Sequence, residues 1–155
     1  MDNDTAIYKP RPPEFIEDFF NSLSKDSLEL VDQFYDPNAQ FIDPVVSFTD
    51  RNQIKNYYAK LYTDVESIRF EFKSHVQSNQ EHAVVWTMVL KAKLDPKKPI
   101  VVDGVSLIRF GGPENKAVYH RDYFDMGEFV YERIPVLSLV IRKIKQALSG
   151  GHAKS

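Results

Sequence analysis

The second half of the chain has apolar residues at every second position, and this period limits the fold more than any other feature of the sequence. A period of two places neighbouring side chains on opposite faces of a β-strand. The runs that show it cover 68–73, 82–94, 100–110 and 118–125, with turn-forming stretches at 95–99 and 111–116. Because each turn is short, we predict an antiparallel meander.

The first half of the chain has the spacing of amphipathic helices, with apolar residues at intervals of three and four. We predict helix one over 13–23, helix two from a capping box of Asp26 and Glu29 through Tyr35 to a stop at Asp36-Pro37-Asn38, a short strand over 39–44, and helix three capped by Asp50 with Gln53. Helices followed by a meander indicate the α+β class.

Bulk composition excludes several classes of protein. At 155 residues and with 43% hydrophobic content, the chain is long enough for one domain with a substantial core. It contains no cysteine, which excludes a disulfide framework, and its net charge of −2 gives no indication of nucleic-acid binding. The acidic first residues are not typical of a signal peptide, so we expect a cytoplasmic protein.

The two ends of the chain differ from its middle. Prolines in residues 1–12 favour an extended arm. Residues 127–148 form a predicted C-terminal helical extension whose helix covers about 134–148, and 149–155 a disordered tail. The segment 133–155 has five basic residues and no acidic one, so the helix could lie on an anionic membrane, but an amphipathic helix more commonly packs on its own domain.

The strand over 118–125 carries ionisable groups where a strand that served only packing would not. The alternation places Val118, His120, Asp122 and Phe124 on one face. An imidazole and a carboxylate two residues apart can point into one cavity, so we expect this strand to form the floor of a pocket and its His–Asp pair to transfer a proton. The alternative is structural: a half-buried histidine beside an aspartate paired with Arg109 or Arg121.

Three motifs resemble the nuclear transport factor 2-like superfamily: residues 34–44 (FYDPNAQFIDP), 106–110 (SLIRF) and 120–125 (HRDYFD). The resemblance covers 13–126 and implies a SnoaL-like, ketosteroid isomerase-like domain. Its fold is cone-shaped (cystatin-like), with N-terminal helices packed on a curved antiparallel sheet, here with an extra C-terminal helix. The resemblance also implies a homodimer through the open sheet face, which carries Arg69, Thr87 and Lys91, and no cofactor.

The superfamily's catalytic groups match this chain only in part. Asp43 is at the place of the ketosteroid isomerase general base, although an Asp-Pro pair can equally serve as turn chemistry. Phe19 and Ser106 are where the two oxyanion donors would be. Asp122 matches the acid/base aspartate of SnoaL-type cyclases. Epoxide hydrolases of the superfamily use an Asp–Arg–Asp catalytic set. Arg109 or Arg121, together with the aspartates, could supply the residue types of such a set.

We therefore expect a SnoaL-like enzyme of the isomerase, cyclase or hydrolase type that binds a hydrophobic small molecule. Catalysis would depend on Asp122 and His120, with Asp43. The predicted ligand-binding residues are Phe19, Tyr57, Tyr58, Trp86, Met88, Ser106 and Phe124, of which the aromatic ones could equally be ordinary core. The scattered histidines indicate no metal site. The alternative is a non-catalytic ligand-binding or accessory protein of the same fold.

Overall fold

A computed structural model describes residues 10–125 together with residues 147 and 148. Its elements are α1 (Pro13–Ser22), α2 (Glu29–Phe34), β1 (Tyr35–Ile42), β2 (Ser47–Phe48), α3 (Arg51–Asp64), β3 (Val65–Ser78), β4 (Glu81–Ala92), β5 (Ile100–Gly111) and β6 (Lys116–Phe124). The three helices and six strands found within residues 10–125 agree with the predicted α+β class. No helix in the described ranges is long and apolar enough to cross a membrane.

The six strands form a single sheet in the order β2-β1-β6-β5-β4-β3. The four long strands from β3 to β6 pair with their sequence neighbours and form the predicted antiparallel meander. The first strand adds to this meander at its far edge, where β1 runs parallel to β6. The last strand is therefore flanked by β1 and β5, which places its side chains near the middle of the sheet.

The inner face of the sheet follows the predicted alternation on two central strands. On β4 the even-numbered residues from His82 to Leu90 are buried, and on β5 those from Ile100 to Phe110 are buried. The two strands pair in register, with Trp86 opposite Gly104, so their buried residues share one surface. Alternation of this kind holds an entire face against the core.

Helices α1 and α3 supply the other side of the core. Helix α1 begins at Pro13, whose fixed φ suits the first helical turn, and buries Ile16, Phe19 and Phe20. Helix α3 is capped by Asp50, whose carboxylate accepts a hydrogen bond from the amide of Asn52 at 2.6 Å. Both helices therefore begin where the sequence predicts.

The predicted end of helix two and its cap are wrong. Helix α2 has no side-chain cap, and its N-cap residue is Leu28 rather than Asp26. It stops at Phe34, and Tyr35 begins β1 by pairing with Ala117 of β6. Tyr35 was predicted to be helical because it continues the apolar spacing, but a pairing with a distant strand decides its conformation.

A β-bulge in β6 changes one predicted face. The register passes from Arg109 opposite Tyr119 to Phe110 opposite Ala117, so Val118 is an extra residue. Ala117 is fully buried and Val118 only partly, which is the reverse of the predicted alternation. Beyond the bulge, His120 recovers the predicted inward position.

The ends of the chain are described only in part. From the predicted arm, Arg11 donates to the carbonyl of Asn115 at 3.1 Å and lies 4.3 Å from the ring centre of Phe15. From the predicted C-terminal helix, Ala147 and Leu148 are helical and exposed. The rest of that helix, and the predicted tail, lie outside the described residues.

Candidate functional site

A cavity of about 100 Å³ lies between the inner face of the sheet and helices α1 and α3. It is lined by Phe19, Phe20, Leu23, Phe41, Asp43, Tyr57, Tyr58, Leu61, Tyr62, Ile68, Phe70, Trp86, Met88, Leu90, His120, Asp122 and Phe124. Most of these side chains are apolar or aromatic. The few polar ones converge from the turn after β1, from β6 and from α3, which is the usual construction of a small-molecule site.

Asp122 is the polar centre of this cavity. Its Oδ1 accepts a hydrogen bond from the Ser106 hydroxyl at 2.5 Å and another from His120 Nε2 at 2.7 Å. These partners meet because Ser106 pairs with Asp122 across β5 and β6, and His120 is two residues away on the same face. The other carboxylate oxygen, Oδ2, has no hydrogen-bond partner among the described residues. With a side chain 17% exposed, Asp122 retains an acceptor for a bound molecule.

Two series of donors lead to Asp122. In one, Trp86 Nε1 donates to Ser106 Oγ at 2.8 Å, and Ser106 donates to the carboxylate. In the other, the Tyr35 hydroxyl lies 2.6 Å from His120 Nδ1, while His120 Nε2 faces the carboxylate. If Nε2 carries the proton given to Asp122, Nδ1 of the neutral ring accepts from Tyr35. The geometry thus selects one tautomer of His120.

The pocket tyrosines keep their protons. Burial, with smaller contributions from neighbouring groups that include the Asp122 carboxylate, raises the pKa of Tyr35 and of Tyr58 well above the usual value. Their hydroxyls are 3.2 Å apart, and because Tyr35 donates to His120, Tyr58 is left to donate to Tyr35. Burial also raises the pKa of Tyr62 to about 12. At neutral pH these groups are neutral hydrogen-bonding groups.

Asp43 is held in a turn at the edge of the cavity. Its Oδ1 accepts from the amides of Val45 and Val46 at 2.7 and 2.8 Å, and its Oδ2 accepts from the Tyr57 hydroxyl at 2.6 Å. Burial, followed by the nearby charge of Asp43, raises the pKa of Tyr57. Asp43 therefore makes the backbone bonds typical of Asp-Pro turn chemistry, and both of its oxygens are engaged.

The structure brings most of the predicted site residues together. The cavity wall includes Phe19, Asp43, Tyr57, Tyr58, Trp86, Met88, His120, Asp122 and Phe124. Ser106 is fully buried behind this wall and contacts it through Asp122 and Trp86. Among the described residues, no group of three or more potential metal ligands is present.

Two arginines considered from the sequence are outside the cavity. Arg109 pairs with Glu81 at 3.7 Å, and Arg121 lies over the ring of Tyr123 at 4.7 Å. Neither lines the cavity, so the Asp–Arg–Asp set of an epoxide hydrolase is not assembled there. Among the described residues Asp122 forms no ion pair with an arginine, and its partner is His120 at 2.7 Å.

Sequence reasoning missed Tyr35. The residue is fully buried and makes the only hydrogen bond to His120 Nδ1 seen in the described part of the chain. Its sequence signal was hidden because Tyr35 continues the apolar spacing of α2. The Asp36-Pro37 pair directly after it was an available indication that the helix ends by this point.

A model of the SnoaL-like domain family matches residues 16–120. The chain belongs to this family. The match includes the helices, the first five strands and His120, but it stops before Asp122. The Asp122 carboxylate of this SnoaL-like protein therefore lies just beyond the matched region. No curated protein matches the sequence at a significant level.

Solved structures share the fold of this SnoaL-like protein. A protein from Catenulispora acidiphila with a ketosteroid isomerase-like fold, solved in complex with trimethylamine, is 14% identical with a TM-score of 0.67, covering 79% of this chain and 93% of that one. A nuclear transport factor 2-like protein of unknown function from Burkholderia pseudomallei is 15% identical with a TM-score of 0.65, and the match covers 75% of this chain and 92% of that one. A Shewanella denitrificans protein with the provisional name SnoaL-like polyketide cyclase is 14% identical with a TM-score of 0.65, and the match covers 77% of this chain and 95% of that one. The predicted nuclear transport factor 2-like fold is confirmed.

Proposed function

We propose that this SnoaL-like protein is a small-molecule enzyme of the isomerase, cyclase or hydrolase type that uses Asp122 as its acid/base group. The observation that carries the proposal is the asymmetry of this carboxylate. Oδ1 accepts two hydrogen bonds, whereas Oδ2 has no partner among the described residues and belongs to an apolar cavity. A carboxylate that is held by one oxygen and open at the other is positioned to accept a proton from a bound molecule.

His120 would support this role by orientation and by charge. Its Nε2–H fixes Asp122, and its Nδ1 is held by Tyr35, so the ring cannot rotate without breaking two bonds. If Asp122 takes a proton from the substrate, the ring and Ser106 remain as neutral donors to the other oxygen. Returning this proton at another atom would isomerise or cyclise the substrate without a cofactor.

A developing negative charge on the substrate would need a hydrogen-bond donor in the cavity. The hydroxyl of Tyr57 donates to Asp43, and that of Tyr58 interacts with Tyr35. Tyr62 also lines the cavity, and its hydroxyl makes no hydrogen bond within the described residues. We assign Tyr62 as the hydrogen-bond donor to the substrate, because preorganised donors supply much of the stabilisation in such reactions.

A non-catalytic ligand-binding or accessory protein is the second candidate. The full engagement of Asp43, Tyr57 and Tyr58 favours it, since these groups would otherwise serve as base and oxyanion donors. The structure of the Catenulispora protein in complex with trimethylamine indicates that a protein of this fold can bind a small molecule. Either function is compatible with a cytoplasmic protein and with a domain over 13–126.

Native mass spectrometry of the purified protein, followed by identification of any released molecule, would supply a substrate class for turnover assays. We expect Asp122→Asn to reduce turnover by about 10²-fold or more. Asp95→Asn is the matched control, because it makes the same chemical change at an exposed position in the turn between β4 and β5. Turnover that is unchanged in Asp122→Asn would refute the catalytic proposal, while retained ligand binding would then support the second candidate.

We also propose a homodimer through the outer face of the sheet. Apolar side chains are exposed on that face, with Val101 54%, Leu107 38% and Tyr123 45% accessible. They belong to the adjacent strands β5 and β6, and exposed apolar patches commonly mark interfaces. Leu107→Glu should convert the protein to a monomer in sedimentation analysis. A wild-type monomer at micromolar concentration would contradict this proposal.

A further inference from the structure

The cavity lining has an unusual balance of charge. The described residues that line it include two carboxylates, Asp43 and Asp122, and no lysine or arginine. The whole chain has 20 lysines and arginines against 22 acidic residues, so a lining without basic side chains does not reflect the composition. His120 is the one further titratable group in this lining that is not a tyrosine, and its two ring nitrogens face the Tyr35 hydroxyl and the Asp122 carboxylate.

The apolar part of the lining is mainly aromatic. Nine of its residues carry aromatic rings: Phe19, Phe20, Phe41, Tyr57, Tyr58, Tyr62, Phe70, Trp86 and Phe124. Near Asp122, Trp86 lies with its ring centre 5.3 Å from that of Phe70 and 6.4 Å from that of Phe124. Trp86 meets Phe70 edge to face, with an interplanar angle of 90°, and its plane is tilted by 51° from that of Phe124. Aromatic faces carry partial negative charge.

These two features select among classes of ligand. An anionic ligand would face two carboxylates without a compensating basic side chain, which disfavours it. A neutral apolar ligand would use the rings but would leave Asp122 Oδ2 without a charged partner. A cation uses both features, because aromatic faces attract it and a carboxylate neutralises it.

We propose that the ligand of this cavity carries a positive charge, as an alkylammonium or a protonated amine, with its charged centre beside Asp122 Oδ2 and among the aromatic side chains of the lining. This inference rests on the proposed function in taking the cavity to be the ligand site. It adds that the substrate, or the bound ligand of a non-catalytic protein, is a small amine. An apolar cavity of about 150 Å³ holds benzene, so the cavity of about 100 Å³ suits a compact group.

The size of the effect follows from its two sources. A cation over desolvated aromatic rings gains about 2 kcal/mol, which corresponds to roughly 30-fold in affinity. The carboxylate adds to this, whereas the dehydration of the cation on entry acts against it. We therefore expect a cation to bind at least about 10-fold more tightly than a neutral molecule of the same size.

The test compares tetramethylammonium with tert-butanol, which has the same number of non-hydrogen atoms and no charge. The chain contains a single tryptophan, Trp86 in the cavity wall, so its fluorescence reports occupation directly. Ligand-observed NMR gives an independent affinity. The wild-type protein should prefer the cation by at least about 10-fold, and Asp122→Asn should lose most of this preference while its affinity for tert-butanol stays within about twofold.

Asp95→Asn is again the control and should keep the wild-type preference. Equal or tighter binding of tert-butanol would overturn the inference and leave the proposed function in place, since the cavity would then serve a neutral ligand. Failure of both probes to bind would also overturn it. Loss of the proposed catalytic function would be recognised separately, through turnover that does not depend on Asp122.

Discussion

Gly104 controls the position of the tryptophan in the cavity wall. A Cβ atom at this position would lie 2.3 Å from Cη2 of Trp86, 2.6 Å from Cζ2 and 2.7 Å from Cζ3. Carbon atoms in favourable contact are about 3.5–4.0 Å apart, so the ring would have to move by more than about 1 Å. The atoms in question belong to a rigid ring of a residue that is 2% exposed and contacts the rings of Phe70 and Phe124. We therefore expect Gly104→Ala to displace Trp86.

The cost of this substitution has three parts. Overpacking a well-filled core costs about 1–3 kcal/mol. Displacement of the ring lengthens the 2.8 Å hydrogen bond from Trp86 to Ser106, which is worth about 1 kcal/mol. Alanine restricts the unfolded chain more than glycine does and returns about 0.4–1 kcal/mol. The net loss of unfolding free energy is therefore about 2 kcal/mol.

Urea unfolding followed by tryptophan fluorescence measures this loss. A double-mutant cycle isolates its cause, because phenylalanine at position 86 lacks the outer part of the indole ring. In a Trp86→Phe background, followed by circular dichroism, Gly104→Ala should cost at least about 1 kcal/mol less than in the wild type. An unchanged unfolding free energy in Gly104→Ala, or the same loss in both backgrounds, would refute the assigned role of the tryptophan ring.

Two further predictions concern protonation and helix capping. Burial, followed by the neighbouring His75, lowers the pKa of His82 to about 4, so between pH 6.5 and 4 the unfolded chain binds more protons and the unfolding free energy falls as the pH falls. His82→Gln should flatten this dependence by up to about 3 kcal/mol in urea unfolding at a series of pH values, and an identical slope would contradict the assignment. Asp50→Ala should lower the unfolding free energy by about 1 kcal/mol through loss of the cap on Asn52, whereas Asp50→Asn should retain most of it.

Sequence patterns correctly predict those helices and strands whose conformation is decided by residues close to them in the chain. Pro13 and the aromatic spacing after it place the start of α1, and the even-numbered positions of β4 and β5 are buried as the alternation requires. The end of α2 was not predictable in this way. Tyr35 lies four residues after Val31 and so suits a helix as well as a strand. Its pairing with Ala117, 82 positions later, decides between them.

The sequence predicts most of the residues of the candidate site, but it predicts fewer of the hydrogen bonds that join them. His120 and Asp122 are on the expected face, although the bulge at Val118 precedes them and moves Ala117 into the core. A bulge upstream does not change the relation of two residues that both follow it. The link from His120 to Tyr35 depends on the parallel pairing of β1 with β6, for which the sequence has no local signal.

The position of the cavity itself follows from the chemistry of Asp122. An ionised carboxylate inside a protein is costly unless donors satisfy it, and here Ser106 and His120 satisfy one of its two oxygens. If aromatic side chains closed over the second oxygen, that atom would be buried without a partner, which costs more than the contacts would gain. Trp86 and Phe124 line the cavity together with Asp122. Open space beside Oδ2 would let water complete the hydrogen bonds of the carboxylate.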